Sequence, residues 1–268
     1  MHDIIDCHVH ICPDNLAEKN TEIIKKFSGI TPAYNGSVAQ LHSMMQKCGI
    51  TKSIVNNTVL KPELMSKAND FTNQVAAKHG NLLPMAWIVP GNTLSIQEVQ
   101  RCKDLGFKGV KIHNSHFKVL PADASNDKIY EKIVECELPV LFHCGYNPYS
   151  ASGQTQYAEP KNFIQTIKSY PEMKIILAHL AGYQDDPKGA IDALGTSKNV
   201  FADLAFDPEK KNLELEGVIA QIGAENLLFG SDYPIHDGTE ILDKLGNLER
   251  AQFEAICSLN PKKVFSTF

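Results

Sequence analysis

Long hydrophobic runs and paired cysteines are missing from this sequence of 268 residues. No run approaches the roughly 18 consecutive apolar residues of a transmembrane helix, so we expect no membrane span. The first residues also lack the basic segment and apolar stretch of a secretory signal. The seven cysteines are an odd number and contain no C-x-x-C pair. We therefore expect reduced thiols and a cytoplasmic protein.

Three common catalytic loops are absent as well. The sequence contains no G-x-G-x-x-G or G-x-x-x-x-G-K-[ST] segment, which weakens a nucleotide-binding interpretation. No G-x-S-x-G elbow supports a serine hydrolase. The formal net charge of −5 argues against a broad nucleic-acid-binding surface. A small molecule is therefore the expected partner.

What the sequence does contain is a regular alternation of short apolar runs with amphipathic segments. The runs are rich in Val, Ile, Leu and Phe, which is typical of parallel strands buried on both faces. The eight runs are Ile4–His10, Lys52–Asn57, Leu82–Val89, Phe107–His113, Pro139–His143, Lys174–His179, Asn199–Ala205 and Asn226–Asp232.

The segments between the runs have helical spacing. Ser95 and Glu98, for example, form the S-x-x-E pattern of a capping box. Eight strands alternating with helices predict an α/β fold, a single (β/α)8 TIM barrel over residues 1–268. An open doubly wound sheet is the alternative, because strand count alone does not prove closure. Residues 11–51 are a long connection that we expect to form a lid or insertion at the barrel mouth.

The predicted strands end in side chains that bind metals or transfer protons. In a (β/α)8 barrel the carboxyl ends of the strands meet at one mouth, where catalysis takes place. Side chains two residues apart share one face of a strand, so His8 and His10 should face one ion while Cys7 faces the helices. The other candidates at strand ends are Lys111, His113, His143, His179 and Asp232.

Several imidazoles together with a carboxylate favour a divalent metal. Such ligands suit Zn²⁺, and also Mn²⁺ or Fe²⁺, and three histidines with one carboxylate leave a position for water. A metal lowers the pKa of bound water toward neutrality, and a further histidine can accept its proton. Lys111 and His113 share a strand face and are candidates to bind a substrate carboxylate or carbonyl. Tyr146, in the loop after His143, is a further candidate for substrate binding.

The sequence resembles the amidohydrolase superfamily, specifically the amidohydrolase-related branch that also contains aminocarboxymuconate-semialdehyde decarboxylase. The resemblance covers nearly the whole chain, and its motifs follow the order found in that branch. The matching blocks are IIDCHVH, GFKGVKIHNSHF, LPVLFHCG, MKIILAHLAG, NVFADLA, LLFGSDYP and NPKKVF. The resemblance implies a distorted (β/α)8 barrel with a metal at its carboxyl-terminal mouth.

The resemblance also implies a role for individual residues. His8, His10, His143 and Asp232 would be the metal ligands. His179 would lie beside the metal-bound water and help to activate it. Asp232 would in addition carry a proton from the water to the leaving group.

The number of metals and the reaction stay open. Binuclear members use a carboxylated lysine from the strand that holds Lys111, so a second metal is possible, although we expect one, Zn²⁺ before Mn²⁺ or Fe²⁺. Our first expectation is a hydrolase that uses a metal-activated water on an amide, ester or lactone bond of a small polar substrate. The alternative is a non-oxidative decarboxylase of an unsaturated or aromatic carboxylate. A non-catalytic metal- or ligand-binding barrel is a third hypothesis, and a homodimer is possible.

Overall fold

The computed structural model describes residues 3–147, 155–205 and 215–266. Its centre is one eight-stranded sheet, in which the strands are parallel and follow one another in sequence order. This order confirms the predicted barrel and is not that of a doubly wound sheet, in which the strand order reverses. The strands are β1 (Ile5–His10), β2 (Lys52–Asn56), β3 (Leu82–Ile88), β4 (Gly109–Ile112), β5 (Val140–Phe142), β6 (Ile175–Leu177), β7 (Val200–Asp203) and β8 (Leu227–Leu228).

Backbone hydrogen bonds close the sheet between β1 and the segment at the end of β8. The amide of Cys7 donates to the carbonyl of Phe229 at 2.9 Å, and the amide of His10 donates to the carbonyl of Tyr233 at 2.7 Å. In the other direction, the amide of Asp232 donates to the carbonyl of His8 at 3.0 Å. The first and last strands therefore meet, which brings their functional side chains together.

Helices surround the barrel and connect its strands. The sequence sets their ends: Ser37 Oγ accepts a hydrogen bond from the amide of Gln40 at the start of α2, and Gly49, with φ of 67°, ends it. Within the described ranges, none of the helices is both long and apolar enough to cross a bilayer. The α-helices are α1 (Ala17–Ser28), α2 (Val38–Cys48), α3 (Met65–Lys78), α4 (Leu94–Asp104), α5 (Asn114–Phe117), α6 (Asp127–Glu135), α7 (Ile164–Ser169), α8 (Ala178–Ala181), α9 (Pro187–Leu194), α10 (Leu215–Ile222), α11 (Gly238–Leu245), α12 (Arg250–Glu254) and α13 (Asn260–Phe265).

Two apolar clusters form the core. The larger one lies between the strands and the helices, and the smaller one fills the inside of the barrel. Phe265 of α13 belongs to the inner cluster and lies near Gly109, the first residue of β4, so α13 closes the amino-terminal end of the barrel. The strand residues of the inner cluster are Ile5, Cys7, Ile54, Met85, Leu141, Ile176, Phe201 and Leu228.

One expectation about β1 is wrong. Cys7 packs inside the barrel with Ile54 rather than against the helices. The pairing of β1 with β2 shifts register between Asp6 and Val9, which is the signature of a β-bulge. The extra residue lets Cys7 and His8 both face inward, so simple alternation fails at this point.

The predicted lid region, residues 11–51, divides into two parts. Ile11, Ile24 and Ile30 belong to its first part and line the cavity at the carboxyl-terminal mouth. Its second part, α2, contacts α11 and thus belongs to the outer ring of helices. A role as a lid concerns only the first part and stays a prediction.

Candidate active site

The strand ends open into a cavity of about 750 Å³ at the mouth of the barrel. The structure brings every residue that the sequence nominated for the site to the lining of this one cavity. These residues are His8, His10, Lys111, His113, His143, Tyr146, His179 and Asp232. Their location follows from the parallel barrel, and their individual roles remain predictions.

His8, His10 and Asp232 form the tightest group of possible metal ligands. The Nε2 atoms of His8 and His10 are 3.0 Å apart. Oδ1 of Asp232 lies 3.5 Å from the first nitrogen and 3.4 Å from the second. Among the described residues, this trio is the one group of three or more His, Cys, Asp or Glu side chains whose ligand atoms converge for a metal.

The partners of the two imidazoles fix which nitrogen carries the proton. Nδ1 of His8 lies 2.8 Å from Oδ2 of Asp203, and Nδ1 of His10 lies 2.9 Å from Oδ1 of Asn56. The side-chain amide of Asn56 donates to the carbonyl of Val9, which orients its oxygen toward His10. Each Nδ1 is therefore a donor, and each Nε2 presents a lone pair.

The converging atoms of this trio fit a cation. Two unprotonated nitrogens and a carboxylate oxygen lie within 3.5 Å of one another. Such lone pairs repel unless positive charge lies between them. Two histidines and one carboxylate are also a ligand set found for Zn²⁺, Fe²⁺ and Mn²⁺.

Burial and the neighbouring polar groups set the charges of Lys111 and Asp232. Nζ of Lys111 lies 3.0 Å from Nε2 of His8, and its side chain is 1 % exposed. Burial lowers the pKa of Lys111 to about 8, although Asp203 and Asp232 oppose the shift. Burial alone would raise the pKa of Asp232, but its close contact with His10 and the adjacent imidazoles of His8 and His179 hold the pKa well below its usual value.

His143 lies beside His179 rather than in the trio. Nδ1 of His143 is 3.0 Å from Nε2 of His179, and its Nε2 is 3.2 Å from the carbonyl oxygen of Tyr146. Nδ1 of His179 is 2.5 Å from the carbonyl oxygen of Ala205. The role of His143 as a metal ligand therefore remains a prediction, with no direct support from these contacts.

A stack of imidazoles extends from His143 along one wall of the cavity. The ring centroids of His143 and His113 are 3.9 Å apart. Those of His113 and His116 are 3.5 Å apart. Burial lowers the pKa of His113 well below its usual value and that of His116 to about 3. Both rings are therefore neutral, and this wall offers flat, uncharged surfaces to a ligand.

Left-handed backbone places two of the strand-end side chains. His179 and Asp232 each have a φ of 57°, a conformation that non-glycine residues rarely adopt. A residue in this conformation raises the free energy of the folded chain by of order 1–3 kcal/mol, and such residues cluster at functional sites. The sharp turns occur where β6 and β8 end, and they point both side chains into the cavity.

Sequence reasoning missed the side chains that hold the histidines in place. Asn56 and Thr58, which both contact Nδ1 of His10, were not proposed at all. Asp203, the last residue of β7, contacts His8 and accepts hydrogen bonds from the amides of His179 and Ala205. Asn56 ends β2 and Asp203 ends β7, and a polar residue at the end of a strand was the sequence signal that could have identified both.

The sequence profile of the amidohydrolase family matches residues 5–267. The chain belongs to the amidohydrolase family. The predicted family is thus confirmed, and the protein is an enzyme of the amidohydrolase superfamily. Among curated protein sequences, none matches this amidohydrolase chain significantly.

Solved structures share the amidohydrolase barrel over nearly the whole chain. The 5-carboxyvanillate decarboxylase from Sphingomonas paucimobilis has a TM-score of 0.76 at 14% identity, with 100% of both chains covered. A dihydroxybenzoic acid decarboxylase from a Polaromonas species, with bound manganese and the inhibitor 2-nitroresorcinol, has a TM-score of 0.77 at 18% identity and covers 99% of this chain and 97% of its own. An uncharacterized TIM-barrel protein from Bordetella bronchiseptica reaches 0.79 at 16% identity, with 98% of both chains covered.

Proposed function

We propose that this amidohydrolase is a metal-dependent, non-oxidative decarboxylase of an aromatic carboxylate. The observation that carries the proposal is the trio of His8, His10 and Asp232 with the buried amine of Lys111 beside it. A cation held by the trio, together with the ammonium group of Lys111, whose Nζ lies 3.0 Å from Nε2 of His8, would form a binding site for a carboxylate. The named structural neighbours that decarboxylate aromatic acids support the same reaction.

The trio would hold one divalent metal. When bound, a divalent metal there supplies positive charge that attracts the carboxylate of the substrate and a neighbouring phenolic oxygen. Manganese is bound in one structural neighbour, whereas the histidine-rich ligand set also suits zinc. Both ions therefore belong in the test.

Decarboxylation needs one proton and releases one neutral molecule. The ring carbon that bears the carboxylate gains a proton, the bond to the carboxylate carbon breaks, and its electron pair stays on the ring. The products are carbon dioxide and the protonated ring. The residues of the site must therefore orient the carboxylate, exclude water and place a proton close to that carbon.

Lys111 and the pair of His143 and His179 supply these functions in our proposal. Lys111 orients the carboxylate by charge. The carbonyl oxygens of Ala205 and Tyr146 accept hydrogen bonds from the N–H groups at the outer nitrogens of the two rings. A hydrogen bond across the 3.0 Å contact between the rings then needs one further proton. Nε2 of His179 is thus placed to hold a proton at the cavity.

Hydrolysis, our first expectation, is less well supported. The decarboxylases among the structural neighbours favour the alternative that the sequence left open. A buried lysine also suits a carboxylate substrate better than a neutral amide or lactone. Family membership argues against the third hypothesis, a non-catalytic barrel.

The proposal is tested by following carbon dioxide. Enzyme loaded with Mn²⁺ or Zn²⁺ is incubated with 2,6-dihydroxybenzoate and 5-carboxyvanillate, and carbon dioxide and the phenolic product are measured, with lactones and amides tested in parallel. We expect release of carbon dioxide and a roughly 100- to 10,000-fold lower rate in His179→Asn with its metal retained. His42→Asn, on α2 outside the cavity, is the control and should keep full activity. Hydrolysis of a lactone or amide without any carbon dioxide would overturn the proposal.

A further inference from the structure

The cavity changes character from its inner end to its outer end. Its inner end holds the metal trio and Lys111. Its outer part is walled by aliphatic side chains from α1, from the loop after α1, from the loop after β2 and from the loop after β8. We call these residues the outer wall: Ile23, Ile24, Ile30, Leu60 and Ile235.

Parts of the outer wall stay open to water. Ile23 is 38% exposed and Leu60 is 61% exposed, although both line the cavity. Ile24, the next residue on α1, also lines the cavity but is nearly buried. Aliphatic surface that faces a cavity and remains hydrated is stabilised when a ligand covers it with apolar groups.

Charge distribution argues against a second anionic group on the ligand at this wall. The only two arginines of the sequence lie elsewhere: Arg101 pairs with Glu98 and Asp70 on the outer helices, and Arg250 begins α12. Among the described residues that line the cavity, Lys111 is the one lysine. Asp185 also lines the cavity, so its carboxylate adds negative charge.

The cavity is larger than a single small ring requires. Its volume of about 750 Å³ lies within the range of pockets that enclose most of a drug-sized ligand. A benzoate whose carboxylate reaches the trio and Lys111 fills the inner end and leaves the outer wall uncovered. An apolar group on the far side of the ring would cover it.

We propose that the substrate is an aromatic carboxylate with an apolar substituent on the side of the ring away from the carboxylate. The substituent contacts the outer wall, and Ile23 and Ile24 are specificity-determining residues. This inference rests on the proposed decarboxylase function for the orientation of the substrate. It adds the chemical class of the group at the outer end.

Binding of unreactive analogues tests the inference without turnover. Benzoate, 4-methylbenzoate and 4-propylbenzoate lack the hydroxyl group of a decarboxylase substrate, and their dissociation constants with metal-loaded enzyme can be measured by calorimetry. Each buried methylene should tighten binding roughly two- to fourfold. We therefore expect 4-propylbenzoate, with three added carbons, to bind at least about eightfold more tightly than benzoate.

Matched variants on α1 show whether the outer wall is responsible. Ile23→Asp should abolish the gain from the propyl group, measured against the affinity of the same variant for benzoate. Phe27→Asp places the same charge one turn along α1, at an exposed side chain that does not line the cavity, and should keep the gain. Ile24→Ala shortens an aliphatic side chain of the outer wall without adding charge, and it should reduce the gain. This variant keeps the inference testable if Ile23→Asp fails to fold.

The outcomes separate this inference from the proposed function. Equal affinities of the wild type for the three benzoates, or tighter binding of 4-carboxybenzoate than of 4-propylbenzoate, would overturn the inference even if carbon dioxide is released from simple hydroxybenzoates. A gain that persists in Ile23→Asp and Ile24→Ala would overturn the role of the outer wall. A gain that disappears in those variants supports the wall, and it does so even if the decarboxylase test fails.

Discussion

At the scale of single residues, the site depends on side chains that orient other side chains. Asp203 is fully buried, and burial raises its pKa although the charges of His179 and Lys111 oppose the shift. Its two oxygens join the imidazole of His8 to the backbone of His179 and Ala205. One carboxylate thus positions a proposed metal ligand and a proposed proton donor together.

Replacement of Asp203 by Asn should weaken metal binding without unfolding the barrel. The amide oxygen can still accept from the backbone of His179, but the amide nitrogen then faces Nδ1 of His8, donor against donor. The imidazole would shift its proton to Nε2, the nitrogen that must bind the metal. We expect the metal dissociation constant to increase roughly 10- to 100-fold, measured by competition with a chromophoric chelator. Unchanged affinity would contradict the role assigned to Asp203.

His8→Ala should remove the metal altogether. We expect about one divalent ion per wild-type chain after purification without chelators, measured by elemental analysis, and almost none in the variant. His42→Ala is the matched control, because His42 contacts His79 on the outer helices and not the cavity. Two ions per chain would point to a second site that includes Lys111 and His179, and an undiminished ion in His8→Ala would rule out the trio.

At the scale of elements, helix α4 shows where a local pattern was misinterpreted. The capping box predicted for Ser95 and Glu98 does not form. The helix starts at Leu94, and Oγ of Ser95 donates to the carbonyl of Val89. The carboxylate of Glu98 instead accepts hydrogen bonds from Asn69 and from Arg101. Asn69 belongs to α3, so its hydrogen bond ties α4 to α3.

Glu98→Gln should therefore destabilise the barrel in a pH-dependent way. Burial alone would raise the pKa of Glu98, but hydrogen bonds from Arg101, Asn69 and Ser66 outweigh it and hold the pKa below its usual value. The stabilisation is thus present above the unfolded-state pKa of about 4.3 and is lost as the pH falls through the folded-state pKa.

The effect of Glu98→Gln is measured by urea unfolding at pH 7 and near pH 3. We expect a loss of about 1–3 kcal/mol at pH 7 and a smaller difference from the wild type at the lower pH. Glu131→Gln removes a carboxylate that pairs with Lys128 on the surface, and it should change the stability little. A difference for Glu98→Gln that does not shrink in acid would show that its charge is unimportant.

At the scale of the whole molecule, the metal trio bridges the two ends of the barrel sheet. His8 and His10 belong to β1, and Asp232 lies just after β8, where backbone hydrogen bonds close the barrel. An ion held by both ends binds the folded chain and not the unfolded one. Metal binding should therefore stabilise the closed barrel.

Removal of the metal should lower the melting temperature. At a free metal concentration of about 100 times Kd, binding contributes about 2.7 kcal/mol, which corresponds to a shift of roughly 5–10 °C for a domain of this size. Scanning calorimetry with and without a chelator measures the shift. His8→Ala should show no response to the chelator, and a similar response in wild type and variant would mean that the ion binds elsewhere.

The sequence by itself determined the barrel and the neighbourhood of the site. Eight apolar runs separated by helical segments specify parallel strands, since each run is buried on both faces. Because carboxyl ends of such strands meet at one mouth, His8, His143 and Asp232 could be brought to one cavity from their positions at strand ends alone. The family motifs then assigned roles to them.

Only the tertiary structure decided which of these side chains touch. His10 contacts Asn56, which is 46 residues away, and His8 contacts Asp203, which is 195 residues away. Such contacts depend on the register between strands and on the bulge at Cys7, and neither follows from local propensity. The trio excludes His143 and the outer wall includes α1 for the same reason: side-chain contacts follow from how the strands and loops pack, and that packing is a property of the whole chain.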